Sequence, residues 1–371
     1  MSPGDASAIE IRPAEPADGA ALLGAIEQID RETEFLGAPG ERPAWADRPE
    51  AALAELRDRG DGVYLIARQA GAILGYVGAL AGHYRSTRGV LSIEHIGVRR
   101  AQRRQAIASR LLEGLEGWAR RRAAHRLDLT VDQDNLPARA LYRRHAYHEE
   151  GVIHEAARDR GRWRSYVALA KLLDGDGMQP LAAVPLERRR RADVLRVRFR
   201  PVVEADAASL RDWELVLLSA PPPWLKQPDE VAAPDAFRDG LRAMLASKLN
   251  YLVAAVVDDP GTDAERLVGL VAASAKQRPR LQTDLALVVN VLADCRGLGI
   301  GRRLFEIGAA WGGARGAHRL STSVHAANEA GLGFVAALGF EPEVTLRRYA
   351  RLGAFHVDLL GFAKRLPAPP A

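Results

Sequence analysis

The segment "DCRGLGIGRRLFE" (residues 294–306) sets Gly297, Gly299 and Gly301 on alternate positions, between Arg296 and an apolar-periodic run that opens with Ile300. Glycine leaves the main chain uncrowded, and a strand-to-helix junction presents unpaired N–H groups at the positive end of a helix dipole. The chemistry such a loop suits is the holding of an anion, above all a diphosphate. Arg296 or Arg302 can add a charge-assisted contact. The G-x-G-x-G spacing differs from the dinucleotide fingerprint G-x-G-x-x-G, and the lysine with Ser/Thr of a P-loop is missing.

The elements that must position this loop occur twice. "IEIRPAEPADGAALL" near the start returns as "VRFRPVVEADAASL", with Arg12 and Asp18 matching Arg200 and Asp206, 188 residues on. From Val98 and Val291 onward the interval is 193, and it links Arg103 to Arg296, Trp118 to Trp311, His125 to His318, Asn135 to Asn328 and Lys171 to Lys364. The extra length is expected at a hairpin tip, where "ARQAGAILG" is short and "VVDDPGTDAERLVG" is long and rich in turn residues. Each copy predicts a short strand (9–12; 195–200), a helix with Asp18 or Asp206 as capping candidate, a strand hairpin, and a strand ending in Val98 or Val291. A long amphipathic helix (107–121; 300–312), a strand, a helix and a last hairpin follow. The expected fold class is therefore α/β with a central mixed sheet, in duplicate.

Domain one is expected over 8–173 and domain two over 194–366, joined by a Gly-, Pro- and Arg-rich linker at 174–193. A chain of 371 residues is long enough for two cores, and at 47% apolar and 27% charged residues it reads as globular. The formal charge of +5 and the arginine run at 188–191 carry no interleaved aromatics, so the run is read as a solvated linker and no nucleic-acid partner is expected. A single cysteine, Cys295, argues against disulfides and thiolate metal clusters and suits the cytoplasm. No H-E-x-x-H motif and no long apolar run are present, so neither a metal nor a membrane span is expected.

"RGLGIG" (296–301) resembles the [R/Q]-x-x-G-x-[G/A] signature of the GNAT N-acetyltransferase superfamily, and "RPAEPAD", "NLPARALYRRHAY" and "RWRSYVALAKLL" look like GNAT segments in the same order. The resemblance covers nearly all of both copies and implies two tandem GNAT folds, each a mixed, mostly antiparallel sheet flanked by helices. It implies acetyl-CoA or another acyl-CoA as co-substrate and an amine of a small molecule or peptide as acceptor; a homodimer stays open. It places the diphosphate on Arg296, Gly297, Gly299 and Gly301, and in the first copy on Arg103, Arg104, Ala106 and Ala108. Pantetheine would run along Val289 and Val291, or Ile96 and Val98, where two strands splay, with Asn135 and Asn328 as further contacts.

The first copy reads "RRQAIA", so Ala106 stands where the first motif glycine belongs, at a cost of roughly 1–2 kcal/mol if that position is left-handed. Glu94 is the candidate base, expected by strand alternation on the face of Ile96 and Val98 with His95 turned away. Tyr142 matches the GNAT tyrosine that protonates the leaving thiolate. Counting 193 residues on from these two gives Leu287 and Val335, so the first copy is expected to be catalytic and the second a CoA-binding or scaffolding partner. The layout also resembles the two-domain mycothiol synthases, whose C-terminal copy is the active one, so the reverse allocation stays open. Glu32 and Glu34 could attract an amine, although carboxylates at a helix end ordinarily face solvent.

Overall fold

A computed structural model describes residues 8–35, 43, 45–159, 161–174, 179–180, 196–221, 224–258, 265–276 and 279–366. The expected linker at 174–193, the arginine run within it and the long hairpin tip at 259–264 lie largely or wholly outside the described residues. The chain forms two compact units: Met1–Ile153, Ser165–Met178 and Arg348–Arg351 make the first, and His154–Arg164, Gln179–Arg347 and Leu352–Ala371 the second.

The first copy of the repeat runs β1 (Glu10–Pro13), α1 (Gly19–Arg31), α2 (Pro49–Arg59), β2 (Gly62–Gln69), β3 (Ala72–Ala81), β4 (Val90–Val98), α3 (Ile107–Arg121), β5 (Arg126–Asp132), α4 (Leu136–Arg144), β6 (His148–Asp159) and β7 (Arg162–Leu172), with His154–Arg164 of its last hairpin counted in the second unit. The sheet order is β1-β2-β3-β4-β5-β7-β6. Pairing is antiparallel at β1/β2, β2/β3, β3/β4 and β5/β7 and parallel at β4/β5. The second unit repeats the order after a two-residue strand, β8 (Gln179–Pro180). Its elements are β9 (Arg198–Pro201), α5 (Ala207–Leu218), α6 (Pro234–Ala246), β10 (Asn250–Asp258), β11 (Glu265–Ala275), β12 (Asp284–Val291), α7 (Ile300–Ala314), β13 (Arg319–His325), α8 (Glu329–Ala337), β14 (Glu341–Leu352) and β15 (Phe355–Arg365). Here β12/β13 is the parallel pair.

Apolar spacing explains how the helices cover the sheet. In α3, Ile107, Leu111, Leu115 and Trp118 recur at three- or four-residue steps, and all are buried in one core with the facing strands. In α1, Leu22, Ala25, Ile26 and Ile29 do the same against Tyr64 and Tyr76 on the other side of the sheet. Each fully buried Leu or Ile contributes roughly 1.5–3 kcal/mol, and each unit holds such a core on both faces.

The repeated Arg-Pro and Asp signature is an ion pair. Arg12 grips Asp18 through two bonds (2.7 and 3.0 Å), and Arg200 grips Asp206 likewise (2.8 and 2.8 Å). Neither aspartate caps the following helix by its side chain, contrary to expectation. The carboxylates accept instead from the main-chain N–H groups of Glu15 (2.8 Å) and Val203 (2.9 Å), closing the single helical turn before α1 and α5. The arginine holds each aspartate pKa below its ordinary value.

Candidate functional site

In both units the parallel pair opens after three residues. β4 meets β5 at Val90, Leu91 and Ser92, and β12 meets β13 at Asp284, Leu285 and Ala286; beyond these the strands part. In the first unit the vertex is clamped by the Ser92 hydroxyl, which donates to Asp128 at 2.7 Å. Asp128 also accepts from Arg126, which is fully buried and held by Glu150 at 3.0 and 2.5 Å. Arg319 is the matching buried guanidinium, bound to Asp284 (3.1 Å) and Glu343 (2.7 and 2.9 Å). These charges are tolerated inside because each is paired and hydrogen-bonded.

The open edge of β4 differs from that of β12 by one residue. Ala79 pairs with Ile93 and Gly78 with His95, so Glu94 is the extra, bulged residue of β4 in its register with β3. In the second unit Ala273 pairs with Leu287 and Ala272 with Val288, with no shift. Leu287 therefore corresponds to Ile93, and Glu94 has no counterpart. Across the bulge Ile93 and Ile96, three apart, both pack into the α3-side core with Val98, so strict alternation does not run through Glu94, which is exposed. His95 stands opposite Gly78, the position over which the Tyr64 ring lies. Trp45 donates its indole N–H to the Tyr64 hydroxyl at 3.1 Å on that same side. The second unit places Val288, 50% exposed, where the first has His95.

The loops between strand and helix have one conformation and different residues. Arg104 (φ 65°) and Ala106 (φ 56°) are left-handed in the first unit, as are Gly297 (φ 80°) and Gly299 (φ 79°) in the second. The condition for a cost at Ala106 is met, and Arg104 adds a second non-glycine in the same region. A Cβ at Gly297 or Gly299 would meet nothing within 4 Å, so the glycines answer to backbone conformation and not to crowding. Gly301 differs: a Cβ there would stand 3.2 Å from the Phe334 ring, so this glycine serves packing. Arg103 and Arg296 turn back to their own strands, donating to the carbonyls of Val98 (3.2 Å) and Val291 (3.1 Å). They brace the loop that carries the first N–H groups of α3 and α7, which have no partner within the helix.

Tyr142 lies on α4 at 5% exposure, its ring 5.7 Å from that of Tyr147. Burial pushes its pKa well above the ordinary tyrosine value, so it stays protonated. It shares the core that Ile96 and Val98 pack against, whereas Val335 takes its place in the second unit. Asn135 and Asn328 are helix N-caps, accepting from Ala138 N (3.2 Å) and Gly331 N (2.9 Å), a role the spacing N-x-x at a helix start could have signalled. Val289 and Val291 lie half-buried on the open part of β12. Glu32 is not simply solvated: its carboxylate accepts from the main-chain N–H of Arg100, and no feature of the sequence pointed to that pairing.

The family model described as Acetyltransferase (GNAT) family matches residues 25–147 and again 213–340, together more than half of the chain. No curated protein matches. Among solved structures, an acetyltransferase of the GNAT family from Streptococcus pneumoniae is 27% identical with a TM-score of 0.42, covering 44% of this chain and 99% of its own. A ribosomal-protein-alanine N-acetyltransferase from Brucella melitensis is 25% identical (TM-score 0.40; 44% and 99% covered). A GNAT superfamily phosphinothricin acetyltransferase from Sinorhizobium meliloti, in complex with AcCoA, is 23% identical (TM-score 0.39; 47% and 93% covered). With its family model met twice, once in each copy of the repeat, the chain belongs to the GNAT acetyltransferase family.

Proposed function

We propose that the first copy is the catalytic half of an N-acetyltransferase that moves an acetyl group from acetyl-CoA to a primary amine. The observation that carries this reading is the Glu94 bulge, which puts a carboxylate beside the opened edge of β4 in one copy only. The diphosphate of acetyl-CoA would lie on the first N–H groups of α3, with Arg104 beside it, and pantetheine along the free edge of Ile96 and Val98. Main-chain N–H groups on that edge would hold the thioester oxygen as charge develops there.

In the reaction the amine nitrogen attacks the thioester carbon, a C–N bond forms and the C–S bond breaks. Glu94 takes the proton that the ammonium must lose, directly or through one water. As the C–S bond breaks the thiolate receives a proton from the Tyr142 hydroxyl, the adduct nitrogen gives up its second proton, which restores Tyr142 through solvent, and Glu94 releases its own proton to water, giving free CoA and the amide. A thiol pKa near 8.5 makes the thiolate a fair leaving group, so Glu94 bears more of the reaction than Tyr142. The acceptor, an amine of a small molecule or peptide, approaches from the side of Glu94, Trp45 and Tyr64.

A second reading is favoured by Gly297 and Gly299, which adopt the left-handed conformation without strain. On that reading the second copy binds acyl-CoA more tightly, either as the active half or as a sensor that does not turn over. Free-thiol release from acetyl-CoA across a panel of amines, measured for Tyr142→Phe and Gly299→Glu, separates the two. Loss of turnover in Tyr142→Phe alone supports the first copy, and loss in Gly299→Glu alone transfers catalysis to the second.

A further inference from the structure

We propose that Glu32 and Arg100 form a positioning latch through which acetyl-CoA occupancy of the first copy orders the acceptor side of its site; this rests on the reading of that copy as catalytic. Glu32 closes the last turn of α1, its own N–H donating to Ile29 O at 3.0 Å. One carboxylate oxygen accepts from the main-chain N–H of Arg100, and the other accepts from Gln28 at 3.2 Å. Arg100 returns the contact, donating from its guanidinium to the Glu32 carbonyl at 3.1 Å. Each residue thus satisfies a main-chain group of the other.

The two ends of this bridge matter. Arg100 opens the short helical turn (Arg100–Gln102) between β4 and the loop of Arg103, Arg104 and Ala106. Ile29, one turn before Glu32, lies directly on β4: a Cβ on Gly97 would meet its Cγ2 at 2.7 Å. Gly97 is three residues beyond Glu94, so the end of α1 borders the bulge and leads on to residues 33–35 on the acceptor side. The second copy has alanines at both matching positions, Ala220 and Ala293, and ties its loop differently, with Asp294 bound to Arg266 at 2.7 Å.

A diphosphate seated on the first N–H groups of α3 would immobilise the loop and the turn that precedes it. A charge-assisted bond to a main-chain N–H is stronger than a neutral one, and through it the order of the turn passes to the end of α1. The end of α1 then loses freedom before an amine arrives, and the amine binds to a surface already in shape. By reciprocity an amine tightens acetyl-CoA by the same factor.

The test is hydrogen exchange of residues 26–35 in the full chain with and without saturating acetyl-CoA, alongside calorimetry of acetyl-CoA binding. Exchange in this segment is expected to slow about tenfold in the parent chain and less than about twofold in Glu32→Ala at equal saturation. Glu32→Gln keeps an acceptor oxygen for Arg100 N–H and should retain most of the effect. Arg100→Ala removes the guanidinium bond alone, keeps the fold testable if Glu32→Ala melts early, and should give an intermediate value. Acetyl-CoA binding with equal slowing in the parent chain and Glu32→Ala, or with no slowing in the parent, overturns the latch and leaves the catalytic reading standing. No heat with acetyl-CoA removes the catalytic reading and the latch together.

Discussion

The first copy carries an extra residue in β4, and the second carries glycines where its helix begins. On the proposed reading these two differences set a candidate base in one copy and an unstrained anion-binding loop in the other. Glu94 stands beside an opened strand edge in the first unit, while in the second unit the same edge runs without interruption and offers Leu287 and Val288. Conversely, Gly297 and Gly299 sit in the left-handed region at no steric cost, while Arg104 and Ala106 are held there against their preference. Anion binding depends on main-chain conformation and proton transfer on one side chain, so the two capacities can drift apart without disturbing the shared core.

The sharpest way to break this comparison is to remove Glu94. Glu94→Gln should lower kcat by about a hundredfold to ten-thousandfold with acetyl-CoA binding retained, as thiol release and calorimetry would report. Val288→Glu in the second copy should change turnover by less than about twofold, because the uninterrupted strand lacks the bulge that presents the carboxylate. Unchanged turnover in Glu94→Gln would place the chemistry elsewhere.

Next in size are the buried guanidinium sites. Glu150→Gln and Glu343→Gln each leave a buried arginine short of charge and should cost about 3–5 kcal/mol of stability by denaturant unfolding. Equal losses would show that the vertex of each splayed pair is equally demanding; a much smaller loss in one copy would show that its cleft tolerates rearrangement.

The repeated histidines give a pH test. His125 is buried, its Nε2–H donating to the Arg348 carbonyl at 2.9 Å. Burial first, then Arg351, lowers its pKa to about 4. The folded form resists a proton that the unfolded chain takes up below its ordinary pKa of about 6.5, so this contribution is complete above that value and is lost between it and about pH 4. The loss should reach about 3 kcal/mol, and His125→Gln should flatten the curve in that window. His318 meets a carboxylate instead, Glu155 at 2.7 Å, and holds that carboxyl below its ordinary pKa, so the stability His318→Gln removes is present above the ordinary carboxylate range and fades as acid protonates Glu155. Identical pH profiles for the two variants would erase this distinction between the copies.

The smallest expected effects lie at the loops. Ala106→Gly should stabilise the chain by about 1 kcal/mol and Gly299→Ala should destabilise it by a similar amount, read as opposite shifts in Tm. Gly301→Ala should cost less when Phe334→Leu is present, since the obstruction there is a ring and not a dihedral angle.

The duplicated order of elements was legible because apolar periodicity and the paired landmarks, from Arg12 and Arg200 to Lys171 and Lys364, are local signals. The glycine loop was legible for the same reason, since its conformation is written into residue type at Gly297 and Gly299. The bulge was not, because an alternation pattern reads straight through an inserted residue. The register reveals it: Val63 and Tyr251 are 188 apart, Ala79 and Ala273 are 194 apart, and Val98 and Val291 are 193 apart. The hairpin thus gains six residues in the second copy, and one is given back at Glu94. Arg103 and Arg296 were readable as polar groups near the site, but their turn back to their own strands depends on folded geometry, whereas the capping by Asn135 and Asn328 is a local signal at a helix start. The Glu32 and Arg100 contact joins residues 68 positions apart and left no trace in spacing.

The ladder shift at Glu94 also bears on how a doubled gene can specialise. A single in-frame codon, gained or lost within one half, adds or removes an acidic residue in the strand while Ile93, Ile96 and Val98 on either side of it still pack into the core. On the proposed reading, division of labour between the halves needs no new fold and no lengthy mutational path, and adding one residue between Leu287 and Val288 is the shortest route to testing whether the second copy gains turnover.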